Sequence, residues 1–265
     1  MNEPPESHSS AWSWGHETTE VHTRILRLAL GVSESRAYWE HADPDVVGPE
    51  RLETALEQRW FGDKSDARVR FLLSAMQERF DAFPNALGVL RGLSLKSTYP
   101  RPALDDVGRQ LICHWHVQLA DPIYRRFTGE LLVGRRGTKK SAIQFKDVQG
   151  WVQSKYKGRW AESTSVQFAS KLLAAASEAG LVTGKLDPRP LACPAVPDLA
   201  LAYLLYLLRE TRFKGTLRSN PYLASVGIED VGPRLRAGLP GVTAKGDDLV
   251  WAAPNLAAWA EAFAG

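Results

Sequence analysis

One stretch near the middle of the chain constrains the fold most, because two helical patterns and a hairpin pattern follow one another there. Apolar residues at helical spacing predict a helix over residues 145–154 and a second over residues 164–179, ended by Gly180. Residues 181–184 (LVTG) and 190–193 (PLAC) are predicted to pair as two short strands. A helix, a turn, a second helix and a hairpin in this order are typical of a winged helix.

The second of these helices is the candidate recognition helix, and its pattern predicts which side faces outward. Thr164 followed by Gln167 fits the capping box, so the helix is expected to begin at Thr164. The buried face is expected to carry the apolar residues Val166, Ala169, Leu172, Leu173 and Ala176. The residues expected nearest a partner are Ser163, Ser165, Gln167 and Lys171.

The formal net charge of +3 hides an uneven distribution of charge along the chain. Residues 125–171 carry 11 Lys and Arg against 3 Asp and Glu, whereas residues 1–124 carry 13 against 18 and residues 172–265 carry 9 against 9. A basic block of this density is often matched to a polyanion, most commonly nucleic acid. The alternative is a solvated basic face that has no partner.

The candidate phosphate contacts lie in two basic connections within this block, GRRGTKK and KYKGRW. They are Arg135, Arg136, Lys139, Lys140, Lys155, Tyr156, Lys157 and Arg159. Cations interleaved with aromatic rings suit a surface that grips phosphates and stacks on sugars or unpaired bases. Trp160 is expected in the core instead, because it directly precedes the capped helix.

The whole chain predicts a mainly α protein: helical lobes with one or two winged helix-turn-helix units and short β-hairpin wings. Residues 1–20 are polar and without periodicity, which predicts a flexible N-terminal arm. Residues 21–100 predict a small helical lobe, and residues 101–195 predict a helical middle domain that ends in the winged helix. Residues 196–265 predict a helical C-terminal unit, a second candidate for the winged-helix order.

Within these units the pattern predicts individual helices and connections. The expected helices of the first lobe cover residues 20–30, 34–40, 49–60 and 65–80, and Gly and Pro in residues 88–102 predict an irregular connection. Residues 105–133 predict one or two helices, the second starting at Asp121 and Pro122. The expected C-terminal elements are helices over 198–211, 220–226 and 228–237 and a hairpin turning at residues 245–247.

Composition argues against a membrane protein and a secreted disulfide protein. The apolar run over residues 199–208 has 10 residues, whereas a membrane-spanning helix needs about 20. Two cysteines, Cys113 and Cys193, are too few for a disulfide framework, and no secretory signal pattern opens the chain. We therefore expect a cytoplasmic protein with no membrane partner.

Catalytic and cofactor motifs are absent from the sequence. It contains no Walker-type loop, G-x-S-x-G, H-E-x-x-H or paired-cysteine zinc pattern, and GRRGTKK lacks the Gly-Lys-Ser/Thr ending of a phosphate loop. His114 and His116 are about 200° apart on a helix, so they cannot ligate one ion together. We expect no catalytic residue, metal, cofactor or small-molecule substrate, and the two histidines are interpreted as structural.

Two segments carry a resemblance to a known family. WAEST (residues 160–164) with LLAAASEAGLV (172–182), and LICHWHVQLADPIYRRFTGELLVGRR (111–136), resemble BrxA, a helical accessory protein family of bacterial phage-exclusion (BREX) defence systems. The likeness extends over residues 104–191. It implies a mostly helical, non-enzymatic protein that binds double-stranded DNA within a defence complex. The long N-terminus and the C-terminal extension depart from shorter members, which leaves the protein partners less defined than the DNA contact.

The leading hypothesis is a DNA-binding accessory protein held mainly by phosphate contacts, with other defence-system proteins as partners. A second hypothesis is a scaffold whose basic region docks an acidic protein surface in a defence or transcription complex. A third is an RNA-binding protein, which requires an exposed Tyr156 or Trp160.

Overall fold

The structure is a computed structural model that describes residues 15–95, 104–138 and 141–264. Over these residues the protein is mainly α-helical and has three two-stranded sheets, as the sequence predicts in outline. Its buried apolar side chains form one core cluster that extends from Ile25 to Trp259. Among the described helices, none is both long and apolar enough to span a bilayer.

The region predicted as the first lobe, which keeps that name below, contains four helices over its described residues. They are α1 (Val32–His41), α2 (Gly48–Glu57), α3 (Asp66–Met76) and α4 (Ala86–Leu95). The helices predicted over residues 34–40, 49–60 and 65–80 are confirmed, and a wider π turn at Gln77–Asp81 extends α3. The connection predicted over residues 88–102 is wrong for residues 88–95, which are part of α4. Buried Leu87, Leu90 and Leu93 hold that helix in spite of its glycines, and residues 96–103 lie outside the described part.

The helix predicted over residues 20–30 is also wrong. Only a 3-10 turn forms, at Arg24–Leu26, and Gly31 precedes α1 with a left-handed φ of +66°. The buried guanidinium of Arg79 donates hydrogen bonds to the carbonyls of Leu28, Ala29 and Leu30 at 2.7–3.2 Å. Carbonyls that face a side chain cannot continue a helical ladder, so the tertiary contact overrides the helical pattern.

Helix α5 (Asp106–Ala120) lies at the centre of the fold and is buried on nearly every side from Leu111 to Leu119. Asp105 caps it by accepting the amide of Gly108 at 2.7 Å. The second predicted helix of this region is confirmed as α6 (Pro122–Arg126), where the Asp121 carboxylate accepts the amides of Ile123 and Tyr124. A π turn at Phe127–Leu132 then leads into α7 (Val133–Arg136).

Two longer helices follow, α8 (Phe145–Lys155) and α9 (Glu162–Glu178), and they pack against each other. The predicted capping box of Thr164 and Gln167 is wrong, because α9 begins at Glu162 and Ala161 is its N-cap residue. Trp160 is half-buried and packs on Phe168 with a ring separation of 4.5 Å, and the N-cap residue Ala161 follows it directly. Gly180 ends the helix with a φ of +72°, as predicted.

The C-terminal region contains α10 (Asp198–Arg209), α11 (Pro221–Ser225), α12 (Gly232–Ala237) and α13 (Leu256–Trp259), followed by a π turn at Ala260–Ala264. The predicted hairpin is confirmed between the antiparallel strands β5 (Val242–Lys245) and β6 (Asp248–Trp251). Helix α10 is the predicted apolar helix, and it is buried from Leu199 to Leu208.

The segment predicted as a flexible arm overlaps the described residues from residue 15 onward. Gly15–His16 form strand β1, which pairs in parallel with β4 (Thr211–Arg212). The Glu17 carboxylate accepts a hydrogen bond from the Tyr222 hydroxyl at 2.5 Å and lies 3.5 Å from the Arg125 guanidinium. Residues 15–17 are therefore part of the folded body, and residues 1–14 lie outside the described residues.

The imidazole of His116 on α5 joins three parts of the chain. Its Nδ1 lies 2.6 Å from the carbonyl of Arg79, and its Nε2 lies 2.7 Å from the hydroxyl of Tyr203 on α10. A ring that donates at Nδ1 and accepts at Nε2 satisfies both contacts when it is neutral. Burial lowers the pKa of His116 to about 3, which keeps the ring in that form.

We predict that His116→Gln flattens the pH dependence of stability. The unfolded chain protonates His116 at higher pH than the folded chain does, so the folded state loses stability as pH falls from about 6.5 toward about 3. Glutamine does not titrate, yet its amide can donate to the Arg79 carbonyl and accept from Tyr203. The free energy of unfolding is measured with urea at several pH values between about pH 6 and pH 4. Plotted against pH, it should have a slope shallower than that of wild type by about 1.4 kcal/mol per pH unit. Parallel curves for the two proteins would contradict the prediction.

Candidate nucleic-acid interface

Three short extended segments lie beside α8 and α9. Strand β2 (Ala142–Ile143) pairs antiparallel with β3 (Arg189–Pro190), and Val182 forms an antiparallel bridge with Leu191. The amide of Thr183 donates to the carbonyl of Pro190 at 2.9 Å. The segment around residue 190 therefore lies between the other two, and the predicted pairing of residues 181–184 with 190–193 is confirmed at Val182 and Leu191.

The tip of this hairpin is exposed and is tied to the start of α8. Leu186 has 85% of its surface exposed, and Lys185 beside it is exposed as well. The Asp187 carboxylate accepts the amide of Phe145, the first residue of α8, at 2.7 Å and also contacts Arg189 at 2.9 Å. The hairpin thus holds a fixed position next to the helix pair. Sequence reasoning missed Lys185 and Leu186 because it treated this turn only as a connection.

The outward face of α9 differs from the predicted face by about one position. Ser165 was expected outward but is 3% exposed, whereas Val166 was expected in the core and is 40% exposed. Phe168 and Leu172 set the buried face, and Ser165 lies on the same side of the helix, three and seven positions before them. The exposed residues of this face are Ser163, Val166, Gln167 and Ser170, with Lys171 partly exposed.

Two of the predicted phosphate-binding cations already have acidic partners. Arg135 contacts Asp147 of α8 at 3.0 Å, and Lys155 contacts Glu130 at 3.0 Å. Both carboxylates belong to the middle of the chain and not to the first lobe. Each pair is partly exposed, so solvent screens it and its strength is modest.

Arg136 donates its hydrogen bonds to backbone carbonyls. Its guanidinium donates to the carbonyl of Ala192 at 2.9 Å and to that of Ala224 at 3.3 Å, which links the hairpin to α11. Burial lowers the pKa of Arg136 from its ordinary value. The adjacent Lys139 and Lys140 lie outside the described residues.

The second basic connection combines a packed aromatic cluster with exposed cations. Tyr156 is half-buried, with ring separations of 6.1 Å to Trp151 and 5.2 Å to Trp160. Arg159 is exposed and donates to the carbonyl of Val21 at 2.9 Å. Lys157 is exposed, and so is Lys146 in the first turn of α8, which the sequence interpretation left out.

His114 makes contacts that superficially resemble part of a hydrolase site. Its Nε2 lies 2.9 Å from the Ser225 hydroxyl and its Nδ1 lies 2.8 Å from the Tyr124 hydroxyl. All three residues are completely buried, and burial lowers the pKa of His114 to about 3. A base that no substrate can reach serves to satisfy buried hydrogen-bonding groups. Within the described ranges, no cluster of three or more His, Cys, Asp or Glu residues could hold a metal ion.

Comparison with known proteins gives the fold some context. No family model matches the chain, and no curated protein matches it. Among solved structures, the chain is similar to an uncharacterized protein from Magnetospirillum magneticum, with a TM-score of 0.59 and 12% sequence identity over 78% of this chain and 98% of that chain. At that identity the similarity shows a shared fold and nothing about activity.

Replacing Arg135 or its neighbour Arg136 with Met should lower the free energy of unfolding by clearly different amounts. Arg136→Met removes the hydrogen bonds to the carbonyls of Ala192 and Ala224, the second of which still accepts the amide of Gly227 at 3.0 Å. It should lower the free energy of unfolding by about 1–3 kcal/mol. Arg135→Met removes only a partly exposed ion pair and should cost less than about 1 kcal/mol. Urea denaturation of both variants measures the difference. Equal losses would contradict the separate roles that the contacts assign to these residues.

Proposed function

We propose that this protein is a non-enzymatic, double-stranded DNA-binding protein in which residues 142–191 form a winged helix-turn-helix. The observation that carries the proposal is the arrangement of α9, which has a polar outward face. It lies beside a hairpin with an exposed tip, and strand β2 pairs with the second segment of that hairpin. In winged-helix proteins the second helix of the pair enters the major groove and the hairpin lies over adjacent backbone. The order β2, α8, α9 and hairpin supports that role for α9.

Phosphate contact is assigned to cations that remain exposed around α9. They are Lys146, Lys157, Arg159 and Lys185, together with Lys171 on α9 itself. Arg135 and Lys155 contribute less because Asp147 and Glu130 partly neutralise them. Phosphate contacts dominate binding and make it depend on salt, so affinity should fall steeply as salt concentration rises.

The outward face of α9 offers few groups that can distinguish bases. Gln167 can pair with an adenine edge in the major groove, and the hydroxyls of Ser163 and Ser170 can contact bases or phosphates. Val166 can contact a thymine methyl group. With no arginine on this face, we expect modest sequence preference.

A second winged-helix unit at the C-terminus is a further part of the proposal. Helices α10, α11 and α12 followed by the hairpin of β5 and β6 repeat the order of the middle unit. Its strand β4 pairs with β1 and not with that hairpin, so the repeat is less regular.

The biological setting follows from the resemblance to the BrxA family. We propose a cytoplasmic accessory role in a BREX-like phage-defence system of bacteria, with other defence proteins as partners. The support is the likeness over residues 104–191, particularly WAEST and LLAAASEAGLV.

A protein scaffold is the second candidate function, and two exposed apolar residues favour it. Leu186 at the hairpin tip and Val166 on α9 are 85% and 40% exposed. Apolar residues at such positions can bind a protein surface. The RNA-binding alternative has less support, because Tyr156 and Trp160 pack into the aromatic cluster and are not free to stack on bases.

The proposal is tested by fluorescence anisotropy with a duplex of about 20 base pairs, between about 50 and 200 mM salt. Wild type should bind at the low-salt end, and Lys157→Ala should reduce the slope of log affinity against log salt by about one unit. Lys64→Ala, in the turn between α2 and α3, serves as the control of equal charge and should retain the wild-type slope. No binding at low salt would overturn the DNA proposal and leave the scaffold.

Removing the acids that neutralise the candidate cations should strengthen DNA binding. Asp147→Asn frees Arg135, and Glu130→Gln frees Lys155, so each variant gains an available phosphate contact. Each should raise affinity at low salt several-fold, whereas Glu57→Gln, an exposed acid on α2, should raise it less. If all three variants bind alike, the gain comes from net charge and the two ion pairs do not border the interface.

A further inference from the structure

An open groove of about 610 Å³ lies between α9 and the first lobe. Lys171 and Glu178 of α9 and Gln110 of α5 line one side of it. Its other side comes from α1, α3 and the segment before α1. Nothing in the sequence indicated this groove, since its residues come from separate parts of the chain.

The groove carries more positive than negative charge, although residues 21–100 as a whole hold 11 Lys and Arg against 11 Asp and Glu. The cations that line it are Arg27, Arg36, Arg68 and Lys171, and its carboxylates are Glu34 and Glu178. The Glu178 carboxylate accepts a hydrogen bond from the amide of Gly31 at 3.0 Å, and the Glu34 carboxylate accepts one from the Ser33 hydroxyl at 2.8 Å. Cations outnumber carboxylates in the groove, and both carboxylates already serve nearby donors.

Two of these arginines are held in place without an acidic partner. The guanidinium of Arg27 lies 3.9 Å from the centre of the Phe71 ring, and that of Arg68 lies 5.1 Å from it. Arg68 also donates to the carbonyl of Arg27 at 3.2 Å. Across the described ranges, neither arginine nor Lys171 forms an ion pair, so their charge is available to a ligand.

The groove continues the outward face of α9. Ser163, Gln167 and Lys171 follow one another at intervals of four, which aligns them along one side of the helix. A nucleic acid strand that contacts Ser163 and Gln167 therefore meets Lys171 next, and the first lobe contributes the other three cations of the groove.

We propose that Arg27, Arg68 and Lys171 bind backbone phosphates of the duplex beside the site contacted by α9, with a smaller contribution from Arg36, which contacts Glu40 at 3.7 Å. This inference rests on the proposed DNA-binding function and extends the interface to the first lobe. An open groove with several cations suits an extended polyanion, because one strand can place successive phosphates along it. Arginine on an aromatic ring loses little freedom when it binds a phosphate.

The test compares Arg27→Ala/Arg68→Ala with Arg59→Ala/Arg70→Ala in the same anisotropy assay. The control pair removes equal charge from the first lobe, and Arg70 lies on α3 two positions from Arg68, on the other side of the helix. The groove variant should lose up to about 2 units of salt slope, at about 0.9 per phosphate contact, and the control pair should lose none. Arg27→Lys/Arg68→Lys should keep most of the binding, which separates charge from a structural role, and circular dichroism checks that each variant folds.

The outcomes separate the groove from the proposed function itself. If wild type binds no duplex at low salt, the DNA-binding function fails. If wild type binds and Lys157→Ala weakens it, but the groove variant matches the control pair, the function stands and the groove proposal is overturned. Normal duplex binding by the groove variant with loss of binding to polyglutamate would assign the groove to an acidic protein, which also overturns it.

Discussion

The burial of α5 is the constraint on which the rest of the structure depends. A helix surrounded by protein must pair every polar side chain that it carries, since an unpaired buried group costs about 1–3 kcal/mol. His116 pairs with the first lobe and α10, and His114 pairs with α6 and α11. The polar residues of α5 thus specify which elements surround it, whereas its apolar residues would accept many neighbours.

Arg79 connects the buried helix α5 to a segment at the surface of the protein. Its carbonyl accepts from His116, and its guanidinium holds the carbonyls of Leu28, Ala29 and Leu30. The segment held in this way carries Arg27 and leads to Gly31, whose amide donates to Glu178 at the end of α9. A buried contact therefore sets the distance between the first lobe and α9, and with it the shape of the groove between them.

Local sequence pattern was sufficient for most helices and for both hairpins. It failed at residues 88–95, where buried leucines hold a helix in spite of its glycines, and at the places where a distant side chain decided the outcome. The periodicity of residues 20–30 carries no trace of Arg79, which lies about 50 positions away and prevents a helix there. The pairing of Arg135 with Asp147 and of Lys155 with Glu130 likewise depends on how helices pack, so a count of charges overstated the free positive charge. On α9 the pattern gave the helix but omitted Phe168, whose ring fixes the rotation that buries Ser165.

The pairing of β1 with β4 has a consequence for the order in which the molecule is completed. Glu17 meets a residue that lies 205 positions later in the chain, and Gly15 meets Thr211. During synthesis residues 15–17 emerge long before their partners exist, so these contacts can form only after α10 and α11 have been made. Residues 15–17 then join a body in which the helices from α1 to α11 have already been synthesised.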